Sequence, residues 1–318
     1  MKDQLLKGDI RALSKAITLI ESKNSEHKKQ AQALLKDILP HSGKSKRIGI
    51  SGVPGVGKST FIEQLGLMLC EQNLKVAVLA VDPSSPISGG SIMGDKTRME
   101  SLSRHPNAFV RPSPTSGALG GVERKTRESM LLCEAAGFDI ILVETVGVGQ
   151  SEVAVSNMVD IFSVMLVPGA GDDLQGIKKG IIELADLLVI NKADGDQKTL
   201  AEMAKSHYQS ALSLLSHKDF WQAQVLTCSA RDNIGLDVYW KSIEQWYQLA
   251  GKDKLESKRK NQAQSWLKEL LSAMIEDELS SDPSLKSQWQ SALSDVASSK
   301  QTPYQAANQL LKLLRGQK

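Results

Sequence analysis

The sequence predicts an α/β protein: a mostly parallel central sheet flanked by helices, entered through a glycine-rich loop, with helical extensions at both ends. Three observations predict it. Seven short runs, largely apolar throughout instead of alternating, recur along the middle of the chain, as expected of strands covered on both faces. Patterns with apolar residues at helical spacing separate most of these runs, which is the signature of βαβ units wound on both sides of one sheet. The first run leads straight into Gly52-Val-Pro-Gly-Val-Gly-Lys-Ser59, and after Ile234-Gly-Leu-Asp237 the strand-like runs stop and the chain turns continuously helical.

In chain order, Leu6, Ile10, Leu13, Ile17 and Ile20, then Leu34, Leu35, Ile38 and Leu39, keep helical spacing until Pro40, so two amphipathic helices are expected before the main domain. A polar linker, 41–46, precedes a strand at 47–51. Further strands are expected at 76–81, 108–111, 140–143, 161–167, 187–190 and 225–227, with helices between most of them, among them 60–72, 124–136 and 198–215. In such a sheet ligands gather at the carboxyl ends of the strands. Beyond residue 237, Trp240, Ile243, Trp246, Trp266, Leu270, Met274 and Leu279 mark helix, Pro283 breaks it, and 284–314 carries one or two helices more. All five tryptophans lie after residue 220, where two readings stand side by side: helix packing, or a subunit interface. The expected division is a helical extension over 1–45, an α/β domain over 46–250 and a helical arm over 251–318.

Composition closes off several functions. The 318 residues carry 39 Lys and Arg against 36 Asp and Glu, a net charge of +3, far from the basic footprint of a nucleic-acid binder, so no nucleic-acid partner is expected. The apolar runs stop well short of the roughly 20 residues a membrane-spanning helix needs, so no membrane partner is expected either. The opening Met-Lys-Asp-Gln-Leu-Leu lacks the charged-then-apolar layout of a signal, and Asp3 and Asp9 argue against a transit peptide; a cytoplasmic protein is expected. Cys70, Cys133 and Cys228 lie far apart, and His27, His41, His105, His207 and His217 show no i, i+4 spacing. Zinc frameworks and redox pairs fall away.

The chemistry is carried by short motifs. Gly52, Val53, Pro54, Gly55, Val56, Gly57, Lys58 and Ser59 fit G-x-x-x-x-G-K-[ST], with a strand before and a helix, starting near Ser59, after. Glycines let successive N–H groups turn toward phosphate oxygens, and the helix start adds its positive end. On that layout Lys58 reaches the β- and γ-phosphates and the Ser59 hydroxyl ligates Mg²⁺. Asn191-Lys-Ala-Asp194 ends a strand at the ligand edge. A carboxylate there accepts the N1–H and the exocyclic amine of guanine, whereas adenine offers an acceptor at N1 and leaves it unpaired. Cys228-Ser-Ala-Arg231 ends the last strand and can cover the guanine O6 with a backbone N–H. Asn191, Lys192, Asp194, Ser229, Ala230 and Arg231 are therefore the candidate base site; the plainer alternative for Asn191 and Asp194 is a polar turn.

Glu144-Thr-Val-Gly147 follows the strand 140–143, where an acid can reach Mg²⁺ and the Gly147 N–H can meet a γ-phosphate. Glu reaches further than the commoner Asp, which leaves direct ligation, an outer-sphere role and water orientation all open for Glu144. Asp82 ends the strand 76–81 and Asp95 lies in Gly94-Asp-Lys-Thr-Arg98. Both join Ser59 and Glu144 as candidate Mg²⁺ ligands, although Asp95 is equally well read as a helix N-cap. Lys58, Glu144 and Asp95 are the candidate catalytic residues.

Gly52-Val-Pro-Gly-Val-Gly-Lys-Ser-Thr60, Val81-Asp-Pro-Ser-Ser-Pro86, Gly94-Asp-Lys-Thr-Arg-Met99, Glu144-Thr-Val-Gly-Val-Gly-Gln150 and Asn191-Lys-Ala-Asp194 occur in that order. On these motifs the chain resembles the MeaB/ArgK family of methylmalonyl-CoA mutase-associated GTPases over nearly its whole length. The resemblance implies a P-loop GTPase that uses GTP/GDP and Mg²⁺, forms a homodimer through its C-terminal arm, and gates cofactor loading into an adenosylcobalamin-dependent methylmalonyl-CoA mutase while protecting it. It implies phosphate contacts at Gly55, Gly57, Lys58, Ser59 and Thr60, and guanine contacts at Asn191, Lys192, Asp194 and Ser229 to Arg231. It also implies mobile elements around Asp95, after Glu144 and over 169–179, the last as a switch toward the mutase, where the residues alone read as a loop with Lys178 and Lys179 on a solvated face. Three alternatives stand beside it: an ATP-dependent kinase linked to amino-acid transport, against which Asn191 to Asp194 argue; a nickel-insertion GTPase, whose expected His-rich or Cys-His segments are absent here; and a pure binding module without turnover, which phosphate release would decide.

Overall fold

The computed structural model describes residues 1–81, 99–112, 119–145, 151–169, 179–213 and 220–315. Among them, β1 (Lys46–Gly52), β2 (Val76–Val81), β3 (Ala108–Arg111), β4 (Ile140–Thr145), β5 (Ile161–Leu166), β6 (Leu187–Ile190) and β7 (Gln224–Thr227) form one sheet. Its order is β3-β2-β4-β1-β5-β6-β7, and every neighbouring pair is parallel. The fold class is the one the apolar runs predict. β2, β4, β5 and β6 are buried along their whole length, which is why they read as unbroken apolar runs. The chain reverses its winding direction at β1, so the loop after that strand sits at the switch point where α/β sheets hold ligands.

Alternate residues of the strands feed two apolar layers. On one face Leu79, Ile141, Val143, Phe162 and Val164 pack with residues of α2 (Ile10–Glu21), α3 (Ser25–Ile38), α6 (Leu119–Ala135) and α9 (Lys198–Ser213). Two helices were expected at the N-terminus, and the structure has three, because α1 (Lys2–Leu6) precedes them. Gly8, at φ 79°, turns the chain out of it, and Asp9 restarts the helix by accepting the N–H groups of Arg11 and Ala12 at 2.8 and 2.9 Å. Five residues are too few for periodicity to register, although Leu5 is wholly buried. The N-terminal helices thus belong to the same core as the sheet.

On the other face Ile48, Ile50, Val78, Leu142 and Met165 meet Phe61 and Leu65 of α4 (Lys58–Glu71), Leu102 of α5 (Glu100–Arg104), and Tyr239, Trp240, Ile243 and Trp246 of α10 (Leu236–Ser281). The Phe61 and Tyr239 rings meet edge to face at 5.0 Å. Trp221, Trp240 and Trp246 are therefore packing residues, and only Trp266 and Trp289 lie further along the chain, half-buried. Helix α10 is broken at Gly251, where φ 60° and ψ −174° suit glycine alone. Two short helices, α7 (Ser151–Ser156) and α8 (Lys179–Leu184), complete the first compact unit, Met1–Arg259. The second unit, Lys260–Lys318, holds the end of α10 with α11 (Pro283–Ala297) and α12 (Pro303–Leu314); Thr302 and Gln305 cap α12 reciprocally.

The amino edge of the sheet is tied by buried charge. Asp160, just before β5, is wholly buried. Arg259 donates to its two oxygens at 2.8 and 2.6 Å, Tyr247 Oη donates at 2.6 Å, and the Arg47 N–H donates at 2.9 Å. Arg259 also donates to the carbonyls of Gly43 and Ser45, at 2.5 and 2.6 Å. Arg47 in turn makes a two-pronged bond to Glu134, both arms 2.8 Å. Burial pushes the Asp160 carboxyl up, but the Arg259 bond and charge, with Arg47 and Tyr247 behind them, overcome it and hold the group below its ordinary value. No helix among the described residues is long and apolar enough to cross a membrane.

Candidate nucleotide site at the carboxyl edge of the sheet

Three glycines shape the loop that leaves β1. Gly52 has φ 155°, and a Cβ there would lie 2.5 Å from the Met165 carbonyl oxygen on β5. Gly57 has φ 93°, and its Cβ would lie 2.7 Å from the Asn191 amide nitrogen. Gly55, at φ 77°, has open space around it, so its requirement is conformational. Val56 is wholly buried and pins the middle of the loop into the core. The helix α4 starts at Lys58, one residue before the Ser59 expected from the sequence, with Gly57 as its N-cap. Lys58 is 9% exposed, and its Nζ donates to the Gly52 carbonyl at 2.7 Å and the Val53 carbonyl at 3.4 Å. The ammonium is thereby held inside the curl of the loop, beside the first N–H groups of a 14-residue helix.

Ser59 and Glu144 come together. Glu144 sits on β4 in register with Ile50 and Ala80, is 4% exposed, and accepts the Ser59 hydroxyl at 3.3 Å. Thr145 beside it donates its hydroxyl to Ser51 at 2.9 Å in the sheet interior, which leaves Glu144 as the group of that strand end turned to the loop. A hydroxyl and a carboxylate side by side are hard oxygen donors, the chemistry Mg²⁺ prefers, so the residues present fit that ion. Asp82, Asp95 and Gly147 lie outside the described residues, as do Arg98 and 170–178.

The third group stands at the ends of β6 and β7. Asn191 is 2% exposed; its Nδ2 donates to the Val56 carbonyl at 2.8 Å and its Oδ1 accepts the Ala230 N–H at 3.0 Å. One side chain therefore braces the glycine loop against the loop after β7. Lys192 takes φ 61°, unusual for a residue with a side chain, and is exposed. The Asp194 carboxylate accepts the Ser229 hydroxyl at 2.6 Å on Oδ2 and pairs with Arg231 Nη2 at 2.7 Å on Oδ1. The loop carrying Ser229 closes on itself through paired Ser229–Ile234 backbone bonds of 2.9 and 3.0 Å. Its exit needs Gly235, where a Cβ would meet the Thr227 carbonyl at 2.6 Å. Burial raises the Cys228 thiol to about 12, so it acts as packing and not as a nucleophile.

Gly57, Thr60, Asn191, Lys192, Asp194, Gln197, Ala230 and Arg231 line one open depression of about 280 Å³. Seven of these eight residues are among those singled out from the sequence. Gln197 is not, since a glutamine in a polar turn carries no motif. Among the described residues no three His, Cys, Asp or Glu side chains gather as a metal cage.

The family model of the methylmalonyl Co-A mutase-associated GTPase MeaB matches residues 13–284. Over 308 residues the chain is 50% identical to a probable GTPase of Mycobacterium tuberculosis, covering 96% of this chain and 92% of that one. It is 46% identical over 323 residues to the mitochondrial methylmalonic aciduria type A homolog of Mus musculus, covering 98% and 78%. Among solved structures it is similar to a LAO/AO transport system kinase, with a TM-score of 0.79 at 38% identity over 99% of this chain and 96% of that one.

Proposed function

The chain belongs to the MeaB family of methylmalonyl-CoA mutase-associated GTPases, and from that premise we propose that it binds GTP in this depression, hydrolyses it with Mg²⁺, and gates cofactor loading into an adenosylcobalamin-dependent methylmalonyl-CoA mutase while protecting it. The observation that carries the reading is the convergence of a phosphate-type loop and a base-reading carboxylate on one depression, with Asn191 bonded to both loops. Lys58 and the loop N–H groups offset phosphate charge. Ser59 and Glu144 are the residues that would hold Mg²⁺, with Asp82 and Asp95 as the further candidates. Bound there, the ion would offset phosphate charge. Asp194 accepts the two donors of guanine, Ser229 holds it in place, and the Ala230 loop covers the O6 edge.

Asp194 disfavours the ATP-dependent kinase reading, because an adenine N1 acceptor facing a carboxylate costs the site its hydrogen bond. The proposal includes a homodimer. In the second unit Leu267, Leu271 and Met274 are 67%, 59% and 61% exposed at i, i+4 and i+7, an apolar stripe suited to a second copy. Phosphate release with GTP and with ATP, alone and with a cobalamin-dependent mutase, tests the reading. Slow turnover of GTP that rises on adding the mutase is expected; equal turnover of ATP would overturn it.

A further inference from the structure

The carboxylate proposed to read guanine already has partners on both oxygens, and the two partners differ in permanence. Ser229, bonded to Oδ2 at 2.6 Å, is wholly buried and also accepts the Asp232 N–H at 3.2 Å, so it stays where it is. Arg231, on Oδ1 at 2.7 Å, has a side chain 71% exposed. The same guanidinium donates to Asp232, from Nε to Oδ1 at 2.9 Å and from Nη2 to Oδ2 at 3.2 Å. Asp232 does not line the depression, whereas Asp194 does. Arg231 thus stands between a carboxylate inside the site and one outside it.

We propose that Arg231 gates the base site: its guanidinium occupies Asp194 in place of the N–H edge of guanine, and swings fully onto Asp232 when a guanine nucleotide enters. The inference rests on the guanine reading above. A guanidinium N–H is a donor to a carboxylate oxygen much as the N1–H or amine of guanine is, so Arg231 Nη2 and one of guanine's donors compete for Oδ1. Leaving Asp194 is easy for Arg231, because an exposed ion pair contributes little and its bonds to Asp232 persist. A base without paired donors cannot replace what Arg231 gives Asp194, so the gate adds to discrimination as well as to timing.

Stopped-flow binding of a fluorescent N-methylanthraniloyl-GDP to the full chain tests this, with thermal melts confirming that each variant is folded. Arg231→Ala is expected to raise the association rate and the affinity about two- to fivefold, the scale of an exposed ion pair. Asp232→Asn removes the outer partner and is expected to shift both in the opposite direction by a similar factor. In an Asp194→Asn background probed with xanthosine diphosphate, Arg231→Ala is expected to change nothing. Weaker GDP binding by Arg231→Ala, or no change in either single variant, overturns the gate while leaving the guanine site standing. A wild-type chain that binds no guanine nucleotide overturns both.

Discussion

The two edges of the central sheet both carry polar side chains and are built on opposite rules. At the amino edge Asp160, Arg259, Tyr247, Arg47 and Glu134 saturate one another in a buried lattice, every charge matched by a partner at hydrogen-bond distance. At the carboxyl edge the polar groups are fewer, the backbone takes left-handed turns at Gly55, Gly57, Lys192 and Gly235, and the side chains converge on an open depression. At the first edge the titrations are strongly displaced: Tyr247 is driven well up by burial and by Asp160, and Arg259 and Asp160 hold each other charged. Displaced pKa values are commonly taken to mark function. At the amino edge they mark a structural rivet, and the candidate site is marked by backbone conformation and convergence.

That contrast can be broken by mutation. The largest expected effect is at the carboxyl edge: Lys58→Ala should cut GTP turnover by about 10² to 10³ or more, the scale of removing a preorganised charge, while circular dichroism and melting stay near wild type. A variant with near-normal turnover would remove the loop from the chemistry. At the amino edge the effect should fall on stability. Asp160→Asn leaves Arg259 buried against a neutral partner and should cost about 3 to 5 kcal/mol in denaturant unfolding, with nucleotide affinity retained by the folded fraction.

The same pair supplies a pH test with a fixed sign. The Asp160 carboxyl is held below its unfolded value of 3.8, so its stabilisation is fully present above that value and is lost as pH falls through the folded one. The gap in melting temperature between wild type and Asp160→Asn should therefore be flat near neutrality and narrow from about pH 5 toward pH 3. A smaller effect is expected for Asn191→Ala, which strands the Val56 carbonyl and the Ala230 N–H; stability should drop by about 1 to 3 kcal/mol, and GTP affinity should fall with it because both loops lose their brace. Unchanged affinity would separate the brace from the site.

The contrast also explains what could be read from the sequence. The strands were legible because burial on both faces leaves unbroken apolar runs, and the glycine loop because its φ values admit little else. Local spacing carried Asn191 to Asp194 as well. The brace that Asn191 makes was not legible, since its partners are 135 and 39 residues away. Nor was the amino-edge lattice: Arg259 lies 99 residues from Asp160 and Arg47 lies 87 from Glu134, and isolated charges at such separations look like solvated surface. Helix α1 escaped because it is one turn long, and Gln197 because nothing but geometry brings it to the depression.

Base selection by Asp194 is read out by titration calorimetry of Asp194→Asn with GDP and with xanthosine diphosphate. Losing a charge-assisted pair to guanine costs about 1.5 to 3 kcal/mol, so GDP affinity should fall roughly ten- to a hundredfold while xanthosine diphosphate, which offers an acceptor where guanine offers its amine, becomes the better ligand. GDP affinity equal to wild type, with no gain for xanthosine diphosphate, would contradict the account.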